Sequence, residues 1–245
     1  MSKQSGLGDD FFIGGYHIGG DIQDLTVHGG PGLLDVTDIT QSAHARLGGL
    51  RDGGIQATSF HDPAAGQAHA AFSPLPTGDV IATYCRGTAI GNPAACCVAK
   101  QLNYDPTRAN DGMLTFKVQG DGDGYGVEWG IQLTAGARTD SSAANGTSYD
   151  TGASAAFGAQ AYLQAVAVTG TSYTVTIQDS SDNASFSNVT GLSFTAVSSA
   201  PQAQRIATAN NATIRRYVRA VTTGTFSVAT FQVTLVKNAI AGQVF

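Results

Sequence analysis

The sequence predicts a mainly β protein built in two units, and three observations carry that reading. Glu128 is the only Glu in 245 residues that include 31 glycines, so helix-favouring residues are scarce while Gly, Thr and Val abound. Short runs with a period of two recur between Gly, Asn, Asp and Ser clusters; Tyr173, Val175 and Ile177 alternate with Ser172, Thr174 and Thr176. Charge is uneven along the chain: residues 1–140 carry 8 Lys and Arg against 15 Asp and Glu, a net −7, whereas residues 141–245 carry 5 against 3, a net +2. The expected organisation is a mainly β unit with one short helix over 1–140, a linker over 141–156, and a β-sandwich over 157–245.

Along the first unit, "DDFFIGGYHIGG" reads as a strand or hairpin after an N-terminal arm, with glycine turns. "HGGPGLLDVTDITQSAHARLGGLRDGG" has neither helical nor alternating period and is expected to be a long loop, closed by a sharp "GLRDG" turn that aims the strand beginning at Gly54. "HDPAAGQAHAAFSPLP" predicts a short helix capped by Asp62, with Pro63 in its first turn and Pro74 as its stop. "DVIATYCRG" is a strand. "AACCVAKQLNYDPTRANDGMLTFKVQG" is a hairpin turning at "DPTRANDG", and "DGDGYGVEWG" adds a further turn and a strand start.

Small polar residues fill 135–156, as in a linker. Beyond it, "AYLQAVAV", "SYTVTIQD", "LSFTAV", "TIRRYVRAV" and "FSVATFQVTLV" read as successive short strands.

No residue set argues for catalysis, and no cofactor is expected. The five histidines lack the spacing of a zinc helix, and "DGDG" at 121–124 lacks the later oxygen donors of a calcium loop. Cys85, Cys96 and Cys97 sit in apolar strand contexts and are expected as buried thiols; Trp129 is expected as a core anchor. Arg215, Tyr217 and Arg219 offer a basic and aromatic cluster of the kind that could bind nucleic acid or an acidic sugar, and it is read instead as a solvated sheet surface. An acidic first unit disfavours nucleic-acid binding. It suits a surface that DNA must pass without sticking. With no apolar leader and no apolar run of about 18 residues, a soluble protein made in a cytoplasm is expected.

The order of parts over residues 5–140 resembles the major tail tube proteins of long-tailed, non-contractile bacteriophages. The "D-V-T … R-x-x-G-L-R-D-G" pattern carries the likeness at Asp35, Val36, Thr37, Arg46, Gly49, Leu50, Arg51, Asp52 and Gly53. The resemblance implies a tail-tube-type β-barrel or sandwich flanked by a helix, six copies of which close into a ring. Rings then stack through the N-terminal arm and the long loop, so that Asp35, Thr37, Arg46 and the Gly49–Gly53 segment form the assembly interface. It implies self-association, tape measure, terminator and distal tail proteins as partners, DNA only in transit, and residence in the virion tail after synthesis in the host cytoplasm. The C-terminal unit resembles the accessory immunoglobulin-like or carbohydrate-binding-like sandwiches of phage structural proteins, which implies an outward position and a weak host-surface glycan contact. A capsid decoration or other virion protein, and a carbohydrate-binding module, are the other readings.

Overall fold

The structure, a computed structural model, describes residues 5–241. It is mainly β, as expected: one continuous antiparallel sheet joins 15 strands among the described residues, with one short helix.

β1 (Asp10–Ile13) and β2 (Tyr16–His17) form a hairpin across Gly14 and Gly15, whose φ values of +58° and +88° favour glycine. A 3-10 turn at Gly19–Asp21 leads into β3 (Ile22–Asp35), which pairs with β4 (Arg46–Phe60) along its whole length. The expected long loop is therefore a long two-stranded ribbon. Its side chains lack a period because both faces of its outer half are exposed, and alternation marks a strand only where one face is buried.

The short helix is α1 (Ala68–Phe72). Asp62 accepts a bond from the Ala64 N–H at 2.8 Å in the turn before it, and the helix itself is capped from outside: the Ala68 N–H donates to Asp21 Oδ2 at 3.0 Å. β5 (Val80–Cys85) and β6 (Pro93–Gln101) pair in register. β7 (Asp105–Arg108) turns over 109–113 into β8 (Leu114–Gln132), so "DPTR" is strand and only "ANDG" turns. β8 runs 19 residues through "DGDGYG" without reversing. Gly124 and Gly126, at φ +84° and +67°, make an irregularity where the register to β6 shifts between Cys97 and Ala99, in place of the expected turn.

The next segments are short: β9 (Arg138–Asp140), β10 (Ala144–Asn145) and β11 (Tyr149–Asp150) all lie along the last strand, so residues 141–156 carry paired backbone. β12 (Ala159–Ser180) merges two expected strands, and so does β15 (Tyr217–Lys237). Gly170 and Gly224, at φ +127° and +125°, sit where a turn was expected and bend a continuous ribbon instead. β13 (Ser187–Ser193) covers one half of β12 and β14 (Gln202–Ala207), unmarked in the sequence reading, covers the other.

Two small apolar clusters and two large cores result among the described residues. One core gathers Phe11, Ile18, Ile55, Phe72, Phe116 and Val118; the other gathers Leu163, Tyr173, Ile177, Leu192, Phe231 and Leu235. Between them lies a buried polar seam. On β12, Ala161, Leu163 and Ala165 enter the second core, whereas Gln160, Tyr162 and Gln164 turn to the opposite face of the strand. Gln164 donates from Nε2 to Ile81 O at 2.9 Å and Thr83 Oγ1 at 3.0 Å, and its Oε1 accepts the Gly15 N–H at 2.8 Å. Glu128 and Arg205 pair at 3.0 Å, Tyr162 donates its hydroxyl to Glu128 Oε2, and the Arg205 guanidinium lies 3.6 Å from the Tyr125 ring centroid. Inward Glu128 forces its neighbour outward: Trp129 is 52% exposed, so it is not the core anchor the sequence suggests. The three cysteines are buried thiols, as expected.

Candidate assembly interface

The inner half of the β3–β4 ribbon is ordinary sheet. Ile55 and Ala57 are buried, Ile22, Leu25 and Val27 pack on the first core, and Gly54 to Phe60 pair with Asp121 to Thr115 of β8. Gly53 and Gly54 permit the crossing. A Cβ on Gly54 would stand 2.5 Å from Gly120 O, and one on Gly53 would stand 2.9 Å from both His28 O and Val127 Cγ2. Beyond that point the ribbon leaves the sheet. From residue 28 to 52 every residue is exposed except half-buried Ala45 and Gly49.

The tip is held by its own polar side chains. Asp35 Oδ1 accepts the Thr37 N–H at 3.0 Å and the Thr37 hydroxyl at 2.5 Å, while His44 Nδ1 lies 3.1 Å from Asp35 Oδ2. Three residues on, Asp38 Oδ1 repeats the arrangement with the Thr40 N–H at 2.8 Å and hydroxyl at 2.6 Å. In each case the threonine hydroxyl, then the threonine N–H, holds the carboxylate below its usual range. The tip thus stays anionic at neutral pH.

The structure brings Asp35, Thr37, Arg46, Gly49, Leu50, Arg51, Asp52 and Gly53 onto this one ribbon. "GLRDG" is not a turn, however: Gly53 opposes Gly29, Asp52 opposes Gly30, and Arg51 opposes Pro31, all within β4. Glycines gathered on both strands look like turn chemistry in a sequence. Here they let the ribbon root cross β8. Arg51 Nη2 donates to Val127 O at 3.3 Å, and Asp52 Oδ1 accepts the Gly53 N–H at 2.7 Å.

Sequence reasoning singled out Val36 and Leu50 but missed Leu33, Leu34, Ile39 and Leu47, all strongly exposed. Leu34 and Leu47 oppose each other and share one face, and Leu33 falls on the other by strand alternation; Leu50 sits in the irregularity where the register shifts between Pro31 and Leu33. Apolar residues in a stretch without period were the available signal. Contiguous exposed apolar surface of this kind is the feature that interaction sites present.

The Arg215 cluster is arranged differently. Arg215 donates to Asp179 Oδ1 from Nε at 2.8 Å and to Asp179 O at 2.7 Å, Arg216 forms a two-point pair with Asp150 at 2.6–2.7 Å, and Arg219 donates to Gln178 Oε1 at 2.7 Å over the Phe186 ring. Tyr217 opens β15 opposite Ser180. The three guanidiniums serve contacts within the chain. No group of three or more His, Cys, Asp or Glu arranged for a metal occurs among the described residues.

The fold and the projecting ribbon define a β-rich protein with an uncovered apolar arm. No protein-family model matches the sequence, and no curated protein matches it. Among solved structures, a chain of the virion of a native gene transfer agent particle is similar at 11% identity and a TM-score of 0.43, over 52% of this chain and 98% of that one. The Dit protein of phage SPP1, described as a hub adsorption apparatus in phages infecting Gram-positive bacteria, is similar at 10% identity and a TM-score of 0.31, over 93% and 98%. A chain of the phage p2 baseplate in its activated conformation is similar at 11% identity and a TM-score of 0.29, over 95% and 99%.

Proposed function

We propose that this chain is a structural virion protein, the subunit of a phage tail tube that polymerises as stacked rings around a DNA-conducting channel. The observation that carries the reading is the β3–β4 ribbon, which bears the D-V-T … R-x-x-G-L-R-D-G pattern and holds leucines exposed on both faces. A single covered face would suit a dimer. Two exposed faces on an arm suit insertion between neighbours.

The rings are hexameric by the resemblance, and the ribbon gains its cover from the next ring. The acidic first unit lines the lumen, where net negative charge lets DNA pass without binding. The C-terminal half faces outward as an accessory sandwich that touches host-surface glycans weakly, many copies compensating for low affinity. Tape measure, terminator and distal tail proteins are its other partners.

Negative-stain microscopy of the purified chain over a concentration series tests this. Stacked rings with a central channel are expected. A chain that stays monomeric at every concentration overturns the reading.

A further inference from the structure

A second surface on the same molecule matches the ribbon tip. Beside the ribbon root lies an open groove of about 750 Å³, walled by Trp129, Ile131, Pro93 and Tyr149. Val127, two residues before Trp129 on the same strand, packs on Gly53 at the root. Lys237 also lines the groove, and its ammonium donates only to neutral oxygens, Thr151 Oγ1 at 2.7 Å and Ala153 O. No carboxylate lies within ion-pair distance of it among the described residues. Asp150, held by Arg216, lines the groove as well. The groove therefore offers an aromatic platform and an ammonium bonded only to neutral oxygens.

The tip offers the counterparts. Ile39 is fully exposed, and Asp38, bonded to Thr40 through Oδ1, is an exposed carboxylate beside it. Within its own chain the tip is thus uncovered. From Val27 to Asp35 the ribbon extends eight residues, about 26 Å at the rise of a strand, away from the root where the groove sits.

We propose that the ribbon tip of one copy seats in the Trp129 groove of the next, with Ile39 against the indole and Asp38 facing the Lys237 ammonium. This rests on the self-assembly reading above. Because knob and groove are different surfaces of one molecule, the contact is head-to-tail: each copy presents a tip and keeps a groove, and repetition builds an open stack. An exposed Trp filled at an interface centre is where binding energy concentrates.

Two measurements on the full chain test it. Ile39→Cys and Trp129→Cys variants, mixed under mild oxidation, are expected to give disulfide-linked dimers that neither variant forms alone, the three native thiols being buried. In sedimentation, Trp129→Ala, Asp38→Lys and Lys237→Glu are each expected to raise the half-assembly concentration by about tenfold or more. The Asp38→Lys, Lys237→Glu double variant recovers most of that loss; unchanged melting separates assembly from folding. If the wild type stacks while Trp129→Ala stacks equally well and the mixed disulfide fails to form, the groove is not the receptor, and the tube reading stands. If the wild type never stacks, both fall.

Discussion

Tyr162 on β12 donates its hydroxyl to the carboxylate of Glu128 on β8, tying the two cores together across a buried seam. Burial, and then the neighbouring carboxylate, push the Tyr162 phenol well above its ordinary value, so it remains the donor at any working pH. Arg205 completes the arrangement from β14.

This triad sets an order of mutational costs. Glu128→Ala leaves the Arg205 guanidinium, whose side chain is only 10% exposed, without its anion, and is expected to cost about 3–5 kcal/mol. Tyr162→Phe removes one charge-assisted hydrogen bond and should cost about 1.5–3 kcal/mol. Urea unfolding checks both. Equal losses would mean that Glu128 is not bearing a buried charge pair.

Glycines on the ribbon separate into two kinds. Gly54→Ala places a methyl 2.5 Å from Gly120 O and should destabilise by about 1–3 kcal/mol, because backbone must move to admit it. Gly30→Ala meets nothing within 4 Å and should be neutral or stabilise by about 0.4–1 kcal/mol through the unfolded chain. Thermal melts of the two variants should move in opposite directions.

Acid sensitivity should show at Asp150. The Arg216 guanidinium, and then the Gly152 N–H, lower its carboxyl from 3.8 to about 2. A folded pKa depressed below the unfolded one contributes stability that is full above pH 3.8 and is lost as pH falls toward 2. Both side chains are substantially exposed, so the contribution is screened and small. Melting temperature followed from pH 5 to pH 2 should fall less steeply in Asp150→Asn than in the wild type; parallel slopes would remove this pair from the account.

On the ribbon, Leu50→Asp should abolish stacking while shifting stability by no more than about 0.5 kcal/mol, since Leu50 is 91% exposed in the single chain. Replacing Arg51 or Asp52 should likewise impair stacking more than folding, with a somewhat larger folding cost for Arg51 through its bond to Val127 O. Variants that fold poorly yet stack normally once folded would remove these residues from the interface.

Much of the sheet was legible in the sequence. The runs around Tyr173–Ile177 and Leu114–Val118 alternate because one face meets a core, and the cysteines sit in apolar runs because they are buried. "VTDIT" shows its rigidity too, since Asp followed two residues later by Thr is a local turn device that needs no tertiary partner.

What local pattern could not carry was destination. Tyr162 and Gln164 alternate with apolar neighbours as a solvent-facing row would, but they meet Glu128, Ile81 and Thr83 inside the protein. The period reports that two faces differ, and a buried polar seam has the same period as a wetted face. Glycines at 49–54 and at 170 read as reversals, whereas only the neighbouring strands decide whether such residues turn, bend or permit a crossing. Composition and period by themselves determined that this chain is β, turn-rich and acidic in its first part. Tertiary structure alone decided that its aperiodic stretch is a paired ribbon held away from the core, because backbone pairing satisfies its own hydrogen bonds and leaves the side chains uncovered.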